Sequence, residues 1–190
     1  MATRAPGCCL ADDARERAAR VRLMLFDIDG VLTDGRLYYG PEGEALKVFH
    51  VHDGHGLKLL REAGIAVGVI SGRSSAATER RLRDLGIVHA ALGSADKPAA
   101  LDALMRAAGV DANATGFMGD DWVDLAVMQR VGFAATVADA ASGMQTHAHW
   151  CSTRAGGQGA ARELAEFLLA VQGKLDAAFA AHLHQAVAQG

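Results

Sequence analysis

The chain has 190 residues, of which 51% are hydrophobic and 22% are charged, and its formal net charge is −3. This length fits a single domain with its own core, and the nearly balanced charge disfavours nucleic acid or an anionic membrane as the main partner. No apolar run reaches the roughly 20 residues that cross a bilayer, and residues 1–20 contain no apolar stretch typical of a secretion signal. We therefore expect a cytoplasmic protein whose cysteines, Cys8, Cys9 and Cys151, are free thiols.

Residues 1–20 predict a loose or partly helical lead-in, and from residue 21 onward short apolar segments alternate with segments of helical periodicity. The predicted strands are 21–26, 65–71, 88–92, 115–119 and 133–137. The predicted helices are 56–63, 74–85, 97–109, 121–130 and 159–171. Strands that are apolar on both faces are typical of a parallel sheet covered by helices. The pattern predicts an α/β fold with a doubly wound, mostly parallel sheet over 21–172, followed by a tail at 173–190.

Residues 36–51 interrupt this alternation. Their sequence, RLYYGPEGEALKVFHV, predicts a β-hairpin that turns around residues 40–43, directly after the acidic turn of the first strand. This position lets the hairpin lie over the carboxyl edge of the sheet. No insertion is long enough to fold as a separate cap domain.

Polar motifs follow four successive predicted strands. They are DIDGVLTDG at 27–35, SGR at 71–73, Lys97, and GDDWVDL at 119–125. The carboxyl ends of parallel strands meet at one edge of a sheet, where ligands of doubly wound folds bind. A single D-x-D turn is a weak signal, but four polar motifs at one edge predict an active site.

These residue types suit phosphoryl transfer. An ionised carboxylate can attack phosphorus and form an aspartyl phosphate, which divides a difficult hydrolysis into two steps. Mg²⁺ prefers hard oxygen ligands such as carboxylates, phosphate and water, so it can reconcile crowded acids with an anionic substrate. A lysine and a hydroxyl group can hold the phosphate oxygens.

The four motifs resemble, in type and order, those of the haloacid dehalogenase superfamily of phosphatases. The longer segments KVFHVHDGHGLKLL, VISGRSS, GDDWVDLAVM and STRAGGQGAARE resemble its capless branch, which contains the 3-deoxy-D-manno-octulosonate 8-phosphate phosphatases. The match covers roughly residues 22–165. The resemblance implies a Rossmann-like core and a Mg²⁺-dependent phosphatase that serves lipopolysaccharide core biosynthesis.

The resemblance also implies the roles of individual residues. Asp27 corresponds to the nucleophile, and Asp29 to the general acid and base. Ser71 and Lys97 correspond to the groups that contact the phosphate. The side chains of Asp27 and Asp120 and the backbone carbonyl of Asp29 correspond to the ligands of Mg²⁺. The remaining acids of the last motif are expected to orient the site, and they are Asp121 and Asp124.

Further residues correspond to substrate contacts in this branch. Arg73 suits the carboxylate of an eight-carbon sugar acid, because guanidinium offers a fork of donors. The full set of expected substrate-binding residues is Asp29, His50, Val51, His52, Asp53, Gly54, Lys58, Arg73, Arg81 and Lys97. His52 stands where the branch commonly has Arg, which makes that contact dependent on pH. His50, His52 and His55 could alternatively form a transition-metal site.

A core without a cap domain leaves the phosphorylated aspartate open to water. The resemblance implies a homotetramer in which the hairpin and neighbouring subunits cover each site. Apolar residues of the hairpin segment suit either such an interface or packing on their own core, and they are Leu37, Tyr38, Tyr39, Val48 and Phe49. The GGQGAARE segment is expected to bring Arg162 or the tail towards an active site.

Three alternatives remain open at this point: a phosphatase of nine-carbon, sialic-type sugar acids, a receiver-like module, and a non-catalytic domain of the same fold. Asp29 argues against a receiver, which needs no second acid to hasten turnover.

Overall fold

The computed structural model describes residues 10–188, which form a six-stranded sheet, a separate β-hairpin and flanking helices. The strands are Leu23–Phe26 (β1), Tyr38–Gly40 (β2), Gly43–Leu46 (β3), Ala66–Ile70 (β4), His89–Ala91 (β5), Thr115–Met118 (β6), Phe133–Thr136 (β7) and Trp150–Cys151 (β8). The helices are Ala14–Arg20 (α1), Val51–Glu62 (α2), Ala76–Leu85 (α3), Lys97–Ala108 (α4), Leu125–Met128 (α5), Ala160–Val171 (α6) and Leu175–Ala188 (α7).

The sheet is parallel throughout, with the strand order β5-β4-β1-β6-β7-β8. Every residue of β1, β6 and β7 is buried, because helices cover both faces of the sheet. The last residue of β1, Phe26, pairs with Val69 of β4 and with Met118 of β6, so these three strands end within one residue of one another. The doubly wound α/β fold, the five predicted strands and the common carboxyl edge are confirmed.

Helix α4 shows how local sequence places a residue at this edge. The side chain of Asp96 caps the helix by accepting a hydrogen bond from the Ala99 amide at 2.9 Å, and Pro98 lies in the first turn. Gly109 ends the helix in the left-handed conformation with φ of 65°. Lys97 is therefore held at the first position of the helix, facing the ends of β1 and β6.

The hairpin predicted at 36–51 is confirmed as the antiparallel pair β2 and β3, in which Gly40 pairs with Gly43. It forms its own two-stranded sheet and does not extend the main one. In the part of the chain that the structure describes, it is the only insertion between the first strand and α2, and no cap domain is present.

Some details differ from the predictions. The segment predicted as a helix over 121–130 begins with a 3-10 turn, Trp122–Asp124, because the Asp121 and Asp124 side chains form a capping box there. Strand β8 is only two residues long and was not predicted. Cys151 in β8 is disulfide-bonded, so the prediction of a free thiol at this position is wrong. Leu10 forms an antiparallel bridge with Trp150, and such long-range pairing leaves no local signal in the sequence.

Two helices lie outside the predicted domain. Helix α1 packs on the sheet through the buried Ala14 and Ala18, and Arg17 donates a hydrogen bond to the Gly132 carbonyl at 2.9 Å. Helix α7 continues the chain beyond α6. The predictions for residues 1–9, including Cys8 and Cys9, and for residues 189–190 lie outside the described residues. Within residues 10–188, no helix has the length and apolar character to span a bilayer; the cytoplasmic location stays a prediction.

Candidate active site

An open cleft of about 360 Å³ lies at the carboxyl edge of the sheet. The loops after β1, β4, β5 and β6 all contribute to its lining, as expected for a doubly wound fold. Six of the predicted site residues line it: Asp27, Asp29, Ser71, Arg73, Lys97 and Asp120. The edge thus brings together the residues predicted to carry the chemistry.

Lys97 is the cation at the centre of this cleft. Its Nζ lies 3.0 Å from Asp27 Oδ1 and 2.6 Å from Asp124 Oδ1, and all three side chains are buried. Burial alone would lower the pKa of Lys97, but the two carboxylates outweigh it and raise the pKa. The lysine is therefore charged in this site, next to the atom expected to attack phosphorus.

Asp124 orients this arrangement. Its Oδ1 accepts the Lys97 hydrogen bond, while its Oδ2 accepts hydrogen bonds from the amides of Asp120 and Asp121 at 3.0 and 3.3 Å. Both oxygens are thus engaged with the protein, which agrees with the orienting role expected from the sequence.

The donor set suits a divalent cation. Carboxylate oxygens of Asp27, Asp120 and Asp124 lie within 4.8 Å of one another. Oδ1 of Asp120 is buried and has no hydrogen-bond partner among the described residues. Burial and the neighbouring carboxylates raise the pKa of Asp120 to about 8, and burial followed by Asp124 raises that of Asp27 to about 6. A cluster of carboxylate oxygens with too little neighbouring positive charge suits Mg²⁺. Asp27 and Asp120 are better placed than Asp124 to bind it, because both oxygens of Asp124 are already hydrogen-bonded.

Gly30 is required where the two acidic loops meet. Its φ is 97°, and a Cβ at this position would lie 2.1 Å from Asp120 Oδ2. Any side chain would therefore displace Asp120 as well as strain the backbone. This contact gives a physical reason for the glycine that follows the acid pair.

Ser71 and Arg73 come from the loop after β4. Ser71 is buried, and its Oγ accepts a hydrogen bond from the Arg73 amide at 3.1 Å. The Arg73 side chain is 41% exposed and extends towards the hairpin, where it contacts Glu44. The hydroxyl group is thus fixed by the backbone, whereas the guanidinium group remains accessible from the cleft.

Lys47 is a site residue that the sequence analysis missed. It follows β3, its side chain is only 2% exposed, and its Nζ contacts Asp29 Oδ1 and lies 2.8 Å from Glu44 Oε1. A lysine in a hairpin is ordinarily expected to be exposed to solvent. The only signal was its position between the acidic turn and the predicted substrate-binding segment.

The other predicted substrate-binding residues lie outside this cleft. His50, Asp53, Gly54 and Arg81 line a small neighbouring cavity, and His52 lines a third one together with Arg162. The two that remain, Val51 and Lys58, are exposed on α2. Within the described chain, the residues expected to bind phosphate therefore line the cleft, whereas most of the residues expected to bind the sugar lie outside it.

The histidines do not converge on a metal site. Rings of His50 and His52 meet edge to face at 5.1 Å, and His55 pairs in the same way with His182. Among residues 10–188, the aspartate cluster described above is the group that brings three candidate ligand atoms together. The alternative of a transition-metal site at the histidines is not supported.

Asp53 has a structural partner. It is buried in α2, and its carboxylate accepts hydrogen bonds from the amides of Gly159 at 3.1 Å and Arg162 at 2.9 Å. Helix α6 begins after Gly159, which has no side chain with which to cap it. Asp53 therefore supplies the cap of α6 from another helix.

We expect Asp53→Ala to lower the free energy of unfolding by about 1–3 kcal/mol, because it removes a cap and leaves buried amides unpaired. Chemical denaturation of the purified variant would measure this. The isosteric Asp53→Asn variant, which keeps one acceptor oxygen, should lose less. Equal stability of Asp53→Ala and the parent protein would contradict the capping role.

Comparison with known proteins agrees with this geometry. No family model matches the chain. The 3-deoxy-D-manno-octulosonate 8-phosphate phosphatase KdsC of Yersinia pestis is 40% identical over 169 residues, which cover 89% of this chain and 90% of that protein. KdsC of Haemophilus influenzae is 42% identical over 160 residues, which cover 84% of this chain and 89% of that protein.

Solved structures show the same fold. The phosphatase of this name from Moraxella catarrhalis, in complex with a magnesium ion, a phosphate ion and a KDO molecule, matches with a TM-score of 0.86 and 36% identity over 90% of this chain and 98% of that one. The cobalt-bound enzyme of Haemophilus influenzae matches with a TM-score of 0.82 and 43% identity over 84% of this chain and 93% of that one. With this identity, coverage and fold, the chain belongs to the 3-deoxy-D-manno-octulosonate 8-phosphate phosphatases, phosphoric monoester hydrolases of the haloacid dehalogenase superfamily.

Proposed function

We propose that this chain hydrolyses 3-deoxy-D-manno-octulosonate 8-phosphate to the free sugar acid and phosphate, with Mg²⁺ as cofactor, in lipopolysaccharide core biosynthesis. The observation that carries the proposal is the meeting of Asp27, Asp29, Lys97 and Asp120 in one cleft of a chain that belongs to this family. Relatives that carry the name of this phosphatase family have been solved with magnesium and cobalt ions, which supports a divalent cation here.

In the first step, a carboxylate oxygen of Asp27 attacks phosphorus and the sugar alkoxide leaves with a proton from Asp29. In the second step, Asp29 takes a proton from the attacking water, which releases phosphate and restores the Asp27 carboxylate. Lys97 holds Asp27 through its contact of 3.0 Å and stabilises the charge that develops on the phosphoryl group. Ser71 is placed to contact a phosphate oxygen.

Asp27 and Asp120 would hold the cation through their side chains, with the Asp29 carbonyl as a further ligand. When bound, Mg²⁺ supplies charge neutralisation between these carboxylates and the anionic phosphate ester.

We further propose that the chain assembles as a homotetramer. The hairpin and the start of α2 expose apolar side chains that a monomer would leave in water: Leu37, Tyr38, Tyr39, Leu46, Val48 and Val51. The expected sugar contacts of α2 lie outside the cleft of their own chain. A neighbouring subunit that packs on this surface would explain both observations.

The test is phosphate release from a panel of sugar phosphates, with and without Mg²⁺. We expect strong hydrolysis of 3-deoxy-D-manno-octulosonate 8-phosphate, weak hydrolysis of nine-carbon sugar acid phosphates, and loss of activity after chelation of the cation. Protein carrying Asp27→Asn, purified in parallel, controls for contaminating phosphatases. Equal rates on eight- and nine-carbon substrates would contradict the assignment of the eight-carbon substrate. Activity that survives chelation would contradict the role of Mg²⁺ as cofactor.

A further inference from the structure

Four charged side chains form a closed ring at the mouth of the cleft. Lys47 contacts Asp29 Oδ1 and lies 2.8 Å from Glu44 Oε1. Glu44 Oε2 accepts a hydrogen bond from Arg73 Nη2 at 2.9 Å, and Arg73 Nε lies 4.0 Å from Asp29 Oδ2. Acidic and basic groups alternate around the ring. Two of its members come from the sheet edge and two from the hairpin, so the ring joins the hairpin to the candidate active site.

Within this ring, Arg73 is already bound to a carboxylate of its own chain. The same Nη2 also donates to the Tyr39 hydroxyl at 3.3 Å, so two residues of the hairpin hold it. Arg73 lines the cleft, whereas Glu44 does not. An incoming carboxylate would therefore meet a guanidinium group whose Nη2 is already engaged by Glu44 Oε2.

We propose that Glu44 is an internal carboxylate that holds Arg73 in the resting protein and is displaced by the carboxylate of the substrate. This inference rests on the proposed function, because it takes Arg73 as the group that binds the substrate carboxylate. It makes Glu44 a specificity-determining residue that acts through Arg73. A phosphate ester that also carries a carboxylate can place its phosphate at Asp27 while its carboxylate takes the place of Glu44 on the guanidinium group.

The charges allow this exchange. Hydrogen bonds from Lys47 and then Arg73 lower the pKa of the Glu44 carboxyl, so Glu44 is an anion near neutral pH. When Glu44 releases Arg73, it keeps Lys47 as a partner, and no buried charge is left unpaired. Arg73 in turn exchanges one carboxylate for another. The Arg73 side chain is 41% accessible and that of Glu44 is 12% accessible, so water reaches the pair from the Arg73 side and weakens it.

The experiment compares the parent protein with Glu44→Gln on two substrates, in the presence of Mg²⁺. On 3-deoxy-D-manno-octulosonate 8-phosphate, we expect KM to fall about two- to fivefold with kcat within about twofold, because a partly exposed ion pair no longer competes with the substrate. On p-nitrophenyl phosphate, which has no carboxylate, both constants should stay within about twofold. Glu42 is an exposed charge on the same hairpin, so Glu42→Gln is the matched control. It should change neither KM nor kcat on either substrate.

Two results would overturn the proposal. An unchanged or higher KM for the sugar acid phosphate would mean that Glu44 does not compete, and an equal change on both substrates would mean that it only supports the hairpin. Glu44→Asp is the second variant, because it keeps the negative charge beside Lys47 but is one methylene too short to hold Arg73 as closely; its KM should fall in the same direction. Failure of the proposed function is separate, since it would appear in the parent protein as no preference for the sugar acid phosphate over p-nitrophenyl phosphate.

Discussion

Asp27→Asn is expected to abolish phosphate release, with a loss of about 10⁴-fold or more in kcat, because the amide oxygen cannot form the phosphorylated intermediate. The fold should remain intact. Burial and the neighbouring Asp124 raise the pKa of Asp27 to about 6. The ionised carboxylate therefore lowers the free energy of unfolding at neutral pH, and the uncharged asparagine does not have this cost. Single-turnover phosphate release and thermal unfolding of the purified variant measure the two effects.

The control for this variant is Asp102→Asn. Asp102 lies on α4 and pairs with Arg130 at 2.6 Å, outside the cleft, so the variant changes the net charge equally without touching the site. It should retain full activity. Near-normal turnover by Asp27→Asn would contradict the role of Asp27 as the nucleophile and the two-step mechanism that depends on it.

Lys97→Ala is expected to lower kcat by about 10²–10³-fold, since it removes one preorganised cation from the phosphoryl site. It should also be destabilising, by about 3–5 kcal/mol, because Asp27 and Asp124 are then left as uncompensated buried acids. Lys97→Met, which preserves the shape of the side chain, separates lost packing from lost charge. Steady-state kinetics at a temperature where each variant is folded would measure the catalytic effect.

Arg106→Ala is the matched control for Lys97. It removes one positive charge from the exposed side of the same helix, and its activity should equal that of the parent protein. A change of less than about twofold in Lys97→Ala and Lys97→Met would count against the role assigned to Lys97.

The parts of the fold that follow from local sequence were predictable. Strands such as Leu23–Phe26 are apolar at every position, and this pattern predicts burial on both faces in a parallel sheet. The ends of α4 follow from Asp96, Pro98 and Gly109, each of which acts on its immediate neighbours. Because the strands are parallel, the prediction that four polar motifs meet at one edge required only their order along the chain.

Features that depend on distant contacts were not predictable from one sequence. Asp53 caps α6 by accepting a hydrogen bond from the amide of Gly159, which lies 106 residues later, and nothing near Asp53 indicates this. Lys47 and Glu44 look like ordinary hairpin charges, and the burial of Lys47 between Asp29 and Glu44 arises only when the hairpin folds over the sheet edge. The short strand β8 likewise depends on its pairing with β7 and on the bridge between Trp150 and Leu10.

The common edge has a practical consequence for protein engineering. The groups of the cleft lie in the loops after the strands or, like Lys97, at the start of the helix that follows, while the short turns that lead from α2, α3 and α4 back into the sheet lie at the opposite side of the molecule. A fluorophore, affinity tag or surface anchor attached at those turns would point away from incoming substrate. The enzyme could therefore be labelled or immobilised there with its reaction chamber left open.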